Sequence, residues 1–174
     1  MLINVSQQLK GPIGAVRDYE VNEGVDVAGS RTMVTGEIEL VRTDQGILAR
    51  GTLYTQLEVD CSRCLASFTC PLVLNIEEEY FPTIDIVTGA PLSLLDEPGC
   101  FTIDERHILD LTEAIRQYAI LAIPMKPLCR EDCAGLCPHC GRNLNLGSCG
   151  CPSEAIDPRW AVLTKLTNGR KGTE

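Results

Sequence analysis

Apolar and polar side chains alternate through the middle of the chain. Thr32 to Arg42 (TMVTGEIELVR) puts Val34, Ile38 and Leu40 on alternate positions, Ile47 to Cys61 does the same with Leu53, Leu57 and Val59, and Ser67 to Tyr80 with Leu72, Leu74 and Ile76. A strand buried on one face requires this period of two, because its successive side chains point to opposite sides. Thr43-Asp44-Gln45-Gly46 marks a turn after the first segment, and Cys61-Ser62-Arg63-Cys64 sits in the turn before the last. Together they predict an antiparallel β-meander, free to curl towards a barrel. Val16 to Val21 alternates weakly and predicts a further short strand, while residues 2–9 (LINVSQQL) fit a strand or a helical turn equally, ahead of a break at Gly11-Pro12.

The pattern then changes. Residues 82–100 carry Pro82, Gly89, Pro91, Pro98 and Gly99 and predict a long surface loop. Asp110-Leu111-Thr112-Glu113 has the form of a helix cap with a reciprocal acid, after which Leu111, Ile115, Tyr118 and Ala122 share one helical face. Pro124 and Pro127 stop that helix. Asp157-Pro158 predicts a short C-terminal helix with Trp160, Leu163 and Leu166 as its apolar face, and the tail NGRKGTE is expected to be disordered. The expected fold is α+β. An antiparallel β-rich region over 1–125 ends in one main helix, and a cysteine-rich, zinc-ribbon-like segment with a short helix occupies 126–174.

Length and charge narrow the function. The chain has 174 residues, 44% of them hydrophobic, enough for a real core, and a formal net charge of −9. The surplus acid lies in residues 1–125, with eight basic and 19 acidic side chains; residues 126–174 hold seven and five. That balance argues against coating nucleic acid by bulk attraction. The longest apolar run, Tyr118 to Met125, is eight residues and contains Pro124, whereas a helical span needs about 20. The N-terminal residues show no basic-then-apolar export signal, so a cytoplasmic location and no membrane partner are expected.

Ten cysteines carry the candidate chemistry. Six fall within 23 residues, as C-x3-C-x3-C-x2-C-x8-C-x-C from Cys129 to Cys151. In a reducing compartment such spacing points to a metal ion rather than to disulfides. Zinc, tetrahedral and tolerant of sulfur, is the leading ion, with iron as the alternative and one or two ions per chain. Cys137-Pro138-His139-Cys140-Gly141 resembles a zinc-ribbon or rubredoxin knuckle, and Cys149/Cys151 are its nearest partners, giving a first site of Cys137, Cys140, Cys149 and Cys151. Cys61/Cys64 and Cys129/Cys133 remain for a second site that would tie the hairpin tip to the helix exit. Two other arrangements stay open: Cys129, Cys133, Cys137 and Cys140 on one ion, or Cys61 and Cys64 as reduced turn cysteines. Cys70 and Cys100 stand alone. His139 is expected to point out of its knuckle, and His107 to lie at the surface. Arg63, Arg130 and Arg142 sit within two residues of a cysteine and suit either donation towards thiolate sulfur or solubility.

Catalytic signatures are missing from the sequence. A catalytic zinc keeps an open position, commonly with mixed ligands, whereas an all-thiol set favours a closed structural site. Neither histidine begins the H-x-E of zinc deaminases, and no nucleophile elbow, P-loop or dinucleotide fingerprint occurs. No enzyme activity and no small-molecule substrate are expected.

Several motifs resemble the YceD family of large ribosomal RNA subunit accumulation proteins. They are Cys61-Ser62-Arg63-Cys64-Leu65 with Phe68, Asp110-Leu111, Leu121-Ala122-Ile123-Pro124, Lys126-Pro127-Leu128-Cys129 and Asp132-Cys133. Gly135-Leu136-Cys137-Pro138, Cys140-Gly141, Asn143-Leu144-Asn145, Cys149, Cys151 and Asp157-Pro158-Arg159 complete the set. The chain looks like the cysteine-rich branch of that family. Other branches lack the C-terminal array yet keep the hairpin C-x-R-C, which suits a separate role for Cys61 and Cys64. The resemblance implies a part in large-subunit ribosomal RNA accumulation, with an RNA precursor, a ribosomal protein or an assembly factor as partner. Arg142, Arg159, Lys165, Arg170 and Lys171 are the candidates for such a contact. Weaker alternatives are an adaptor that grips a basic protein through the acidic region, and a thiol-redox or metal-delivery protein.

Overall fold

A computed structural model describes residues 1–92 and 99–152. Seven strands form one sheet: β1 (Leu2–Asn4), β2 (Val16–Val27), β3 (Ser30–Arg42), β4 (Ile47–Asp60), β5 (Ser67–Pro82), β6 (Phe101–Ile103) and β7 (Ile108–Asp110). Helix α1 is Ser6–Leu9 and helix α2 is Thr112–Ala122. The sheet order is β1-β7-β6-β5-β4-β3-β2.

The predicted meander is present; β3, β4 and β5 match the alternation to within two residues, and β2 is longer than it showed. β2 runs twelve residues rather than six and pairs with β3 from Val16↔Val41 to Val27↔Ser30. Its outward positions (Asp18, Glu20, Asn22) are polar, but the inward register includes Tyr19, Glu23 and only three buried valines, which weakens the sequence signal. The sheet is also not wholly antiparallel. β6 runs parallel to the end of β5, Tyr80↔Phe101 to Pro82↔Ile103. Residues 2–9 turn out to hold both options, a three-residue strand and one helical turn. Within the predicted surface loop, Ile84 bridges Pro91, and residues 93–98 lie outside the described residues. The predicted C-terminal helix and the tail lie outside them as well.

The sheet curls into a half-barrel around α2. Val21, Val25, Val34, Ile38, Leu40, Leu53, Leu72, Leu74 and Ile76 line its inner face and close on Leu111, Ile115 and Ala119. The helix begins differently from the predicted cap. Asp110 Oδ1 accepts from the Thr112 N–H at 2.9 Å, and Glu113 turns instead to Arg116 and Gln117. The opposite edges approach one another. The Met1 amino group lies 3.1 Å from Glu23 on β2, and Gln8 Nε2 donates to the Leu40 carbonyl at 2.6 Å.

Two glycines permit the curl. Gly36 on β3 faces Leu53, and Gly51 on β4 faces Ile38. A Cβ on Gly36 would strike the Thr52 carbonyl, and one on Gly51 the Glu37 carbonyl, so the two backbones come closer here than a side chain allows. Gly51→Val should therefore destabilise the fold by at least about 2 kcal/mol. Thr35→Val, on an exposed position of the outer face, should be close to neutral. Thermal melts of the two variants check this, and equal midpoints would refute a glycine-dependent curl.

Candidate metal centre

Eight of the ten cysteines gather into two groups of four. The Sγ atoms of Cys61, Cys64, Cys129 and Cys133 all lie within 4.8 Å of one another, and so do those of Cys137, Cys140, Cys149 and Cys151. This division separates Cys129/Cys133 from Cys137/Cys140. Cys70 faces the core on β5 and Cys100 lies half-buried just before β6. All ten are free thiols.

The first group joins two parts of the chain that are distant in sequence. Cys61 and Cys64 sit on the tip of the β4–β5 hairpin, where the long register ends at Asp60↔Ser67. Cys129 and Cys133 follow the exit of α2. The Ser62 N–H donates to the Pro127 carbonyl at 2.8 Å, and Arg63 Nη1 donates to the Cys133 carbonyl at 3.0 Å. Leu128, Leu136 and Phe68 pack around the sulfurs as a small apolar cluster of its own. Cys61 Sγ is 3.8 Å from Cys133 Sγ, and Cys64 Sγ is 3.7 Å from Cys129 Sγ. A disulfide needs about 2.05 Å. A tetrahedral ion with metal–sulfur bonds of about 2.3 Å spaces its ligands about 3.8 Å apart, so the thiols stand where such an ion would hold them.

The hairpin tip and the second group use the same local device. Leu65 N–H donates to the Cys61 carbonyl, and Gly141 N–H to the Cys137 carbonyl, both at 2.9 Å. Cys61 N–H then reaches the Ala66 carbonyl at 3.0 Å, and Cys137 N–H the Arg142 carbonyl at 2.8 Å. The residue after the second cysteine is left-handed in both, with φ 57° at Leu65 and 71° at Gly141. Glycine makes the second knuckle legible in sequence. Leucine in the same conformation hides the first.

The sulfurs are unequal. Cys61 is lowered to about 6, chiefly by the backbone N–H of Cys129, against the opposing effect of burial, with further help from the N–H groups of Arg63 and Cys64. The N–H groups of Cys140 and His139 lower Cys137 to about 6. The side chain of Asn145 lowers Cys133. Burial, then the neighbouring thiols, push Cys129 up to about 12, and the neighbours Cys140 and Cys149 push Cys151 up to about 12. The first group therefore ionises more readily at Cys61 and Cys133 and resists ionising at Cys129, and the second ionises readily at Cys137 and resists at Cys151. A cation among the sulfurs removes that resistance.

In sequence Asn145 stands only as the end of the Asn143-Leu144-Asn145 motif, with no chemistry attached. Its Nδ2 donates to Cys133 Sγ at 3.3 Å and to Asn143 Oδ1 at 2.8 Å. Its Oδ1 accepts from Ala134 N–H at 2.8 Å and Arg130 Nη2 at 2.5 Å. The one available signal was the N-x-N spacing just after a Cys-Gly knuckle. The three nearby arginines do not donate to sulfur: Arg63 and Arg130 fasten backbone and amide oxygens, and Arg142 is exposed. His139 is exposed, as expected; His107 is half-buried, with φ 59° and an unpartnered Nδ1. Arg159, Lys165, Arg170 and Lys171 lie outside the described residues. No helix among the described residues is long and apolar enough to cross a membrane.

Comparison with known proteins places these features in a family. The model of the "Large ribosomal RNA subunit accumulation protein YceD" family matches residues 49–167, more than half of the chain and inclusive of all eight clustered cysteines. An uncharacterised protein of Mycobacterium tuberculosis (strain ATCC 25618 / H37Rv) is 32% identical over 137 residues, 79% of this chain and 63% of that protein. An uncharacterised protein of Mycobacterium leprae is 25% identical over 131 residues, covering 75% of this chain and 57% of its own length. A maize protein described as "Large ribosomal RNA subunit accumulation protein YCED homolog 1, chloroplastic" is 29% identical over 147 residues, 71% of this chain and 50% of that one. The chain thus spans about half to two thirds of the length of these relatives. No solved structure matches. With the matched segment running from β4 through both cysteine groups, the chain belongs to the YceD family.

Proposed function

We propose that this chain is a non-enzymatic, zinc-binding factor that supports the accumulation of large-subunit ribosomal RNA during ribosome assembly. The observation that carries this reading is the pair of closed four-thiol groups in a chain of the YceD family. Four thiolates complete the tetrahedron of a zinc ion and leave no position for substrate, which suits a structural role. Iron fits the same sulfur spacing, and metal analysis separates the two. The group formed by Cys137, Cys140, Cys149 and Cys151 would then serve as a ribbon-like element, and the other as a clasp between sheet and C-terminal segment.

One feature favours a protein partner over direct RNA contact. On the outer face of the sheet Asp18 stands directly opposite Glu39, and Glu20 opposite Glu37, with Glu77 opposite Arg50 in the same band. Arg50 neutralises Glu39 at 2.6 Å; the others face solvent. Directly opposed like charges on a sheet are destabilising, and a basic protein segment laid across them would relieve the repulsion.

Metal content is the first check. Two equivalents of zinc per chain are expected, one lost on replacing Cys61 and Cys64 by serine and the other on replacing Cys137 and Cys140. Chelation should lower the melting temperature, because the binding energy of a structural ion is folding energy. Rapid, reversible metal loss with unchanged melting would instead support metal delivery.

The pH dependence has a fixed sign. In the metal-free fold Cys129 and Cys151 are held up near 12, so around pH 7 each site still carries a proton that an ion must displace. Bound metal depresses those thiols, so the stability it contributes is present at high pH and lost as pH falls. Apparent affinity should rise about tenfold per pH unit per displaced proton between pH 6.5 and 8.5, and fall more steeply below about 6, where Cys61 and Cys137 also take up protons. Competition titrations with a chromophoric chelator measure this, and a flat profile would contradict it.

In cells, deletion should lower mature large-subunit RNA relative to small-subunit RNA. Unchanged ribosome profiles in a clean deletion strain would refute the assembly reading. Affinity capture with and without nuclease decides the contact: a partner retained after RNA digestion, and lost on Glu37→Lys/Glu39→Lys, identifies the acidic face as the protein-binding surface.

A further inference from the structure

The two four-thiol groups share a residue that belongs to neither. Asn145 lies on the 3₁₀ turn Leu144–Leu146, inside the loop that runs from Cys140 to Cys149. Its side chain reaches out of that loop to Cys133, a member of the other group. Both amide donors and both acceptor sites of Asn145 are engaged: Cys133 Sγ and Asn143 Oδ1 receive, and Ala134 N–H and Arg130 Nη2 give. The turn is itself fastened to the stretch between the two groups. Leu144 N–H donates to the Gly135 carbonyl at 2.9 Å, Leu136 bridges Asn143, and Asn145 N–H returns to Asn143 Oδ1 at 3.0 Å.

We propose that Asn145 couples the two sites energetically, so that a metal ion held by Cys137, Cys140, Cys149 and Cys151 strengthens binding at Cys61, Cys64, Cys129 and Cys133, and the reverse. The physical route is short. An ion that draws Cys137 and Cys140 to Cys149 and Cys151 closes the loop carrying Leu144–Leu146. Closing that loop fixes the Asn145 amide against Cys133. An N–H directed at a thiolate offsets part of the negative charge that four sulfurs bring to one divalent ion, and loss of such outer donors commonly costs 10–100-fold in metal affinity. Coupling of this kind is reciprocal by necessity. The inference rests on the reading that both groups hold metal.

The competing explanation is that Asn145 only buttresses the loop through its Oδ1. Asn145→Asp separates the two roles. It retains an oxygen for Ala134 N–H and Arg130 but has no N–H for sulfur, whereas Asn145→Ala loses both. The test is a double-mutant cycle on the full chain, with Co2+ as probe ion and competition against a chelator as readout. Affinity at the Cys61 site is measured with the other site intact and with Cys149→Ser/Cys151→Ser, in the Asn145, Asn145→Ala and Asn145→Asp backgrounds. With Asn145 present, disabling the second site should weaken the first by about 10–100-fold. In both Asn145 variants the penalty should shrink to within about twofold, and the sulfur-to-cobalt charge-transfer band of the first site should shift. A melt of each metal-loaded variant verifies folding. An equal penalty in all three backgrounds overturns the coupling while leaving two metal sites standing. A penalty retained in Asn145→Asp alone assigns Asn145 to loop support and also overturns it. A chain that takes up no ion in any background overturns the metal reading itself.

Discussion

Four thiols held within 4.8 Å of one another form a group that cannot fully ionise without a cation among them. That constraint organises residues 123–151. Residues 123–151 contain no helix or strand longer than three residues among those described, and the backbone hydrogen bonds that hold this stretch are few. Their apolar contacts are correspondingly sparse: Leu128 and Leu136 pack on the sulfurs rather than on the main core. The segment therefore depends on its cysteines for a defined shape far more than the half-barrel does. The half-barrel has its own closed apolar interior against α2.

The clasp also explains why the β4–β5 hairpin is so long. Fourteen consecutive register pairs carry Cys61 and Cys64 to the edge of the core, where the chain leaves α2 and passes Pro127. A shorter hairpin would leave Cys129 and Cys133 without partners. Leu65 carries the local cost of this arrangement. It takes the left-handed conformation that glycine takes in the second knuckle, and as a solvent-exposed leucine it gains little packing in return. The contact of Ser62 and Arg63 with residues 127–133 is what holds the tip in place.

Much of the architecture was legible in the sequence, for a physical reason. β3, β4 and β5 bury one face only, so their apolar residues alternate, and α2 repeats with a helical period. β6 and β7 are three residues each, too short for any period, and they exist because the curled sheet needs its edge continued to β1. β2 is longer than its pattern shows because Glu23, in register with Val21 and Val25, breaks the alternation; it is exposed at the sheet edge, where the Met1 amino group meets it, a contact between the two edges that no local pattern carries. In the two four-thiol groups the cysteine spacings marked the thiols as pairs. Which pair meets which was left open by Cys129, equally near Cys137 in sequence, and was decided by the hairpin reach. The contact of Asn145 with sulfur is not legible in sequence, because its partner thiol belongs to a different group from the loop it sits in.

The charge of the assembled molecule bears on what it contacts. Taken as neutral thiols, the cysteines leave residues 126–174 with a small basic surplus. Four thiolates around one divalent ion carry a net charge of about −2, and two such sites more than cancel that surplus. With the ions in place neither end of the chain is a cationic surface in bulk, so affinity for a phosphate backbone would have to come from individual arginine and lysine contacts. The outer face of the sheet has the opposite property. Asp18, Glu20 and Glu37 lie on the adjacent strands β2 and β3, at register positions fixed by the sheet, so their charges act together on anything that approaches, while Arg50 on β4 offsets Glu39 and separates this group from Glu77 on β5. Under the proposed role, such a face suits a basic protein partner better than the RNA itself.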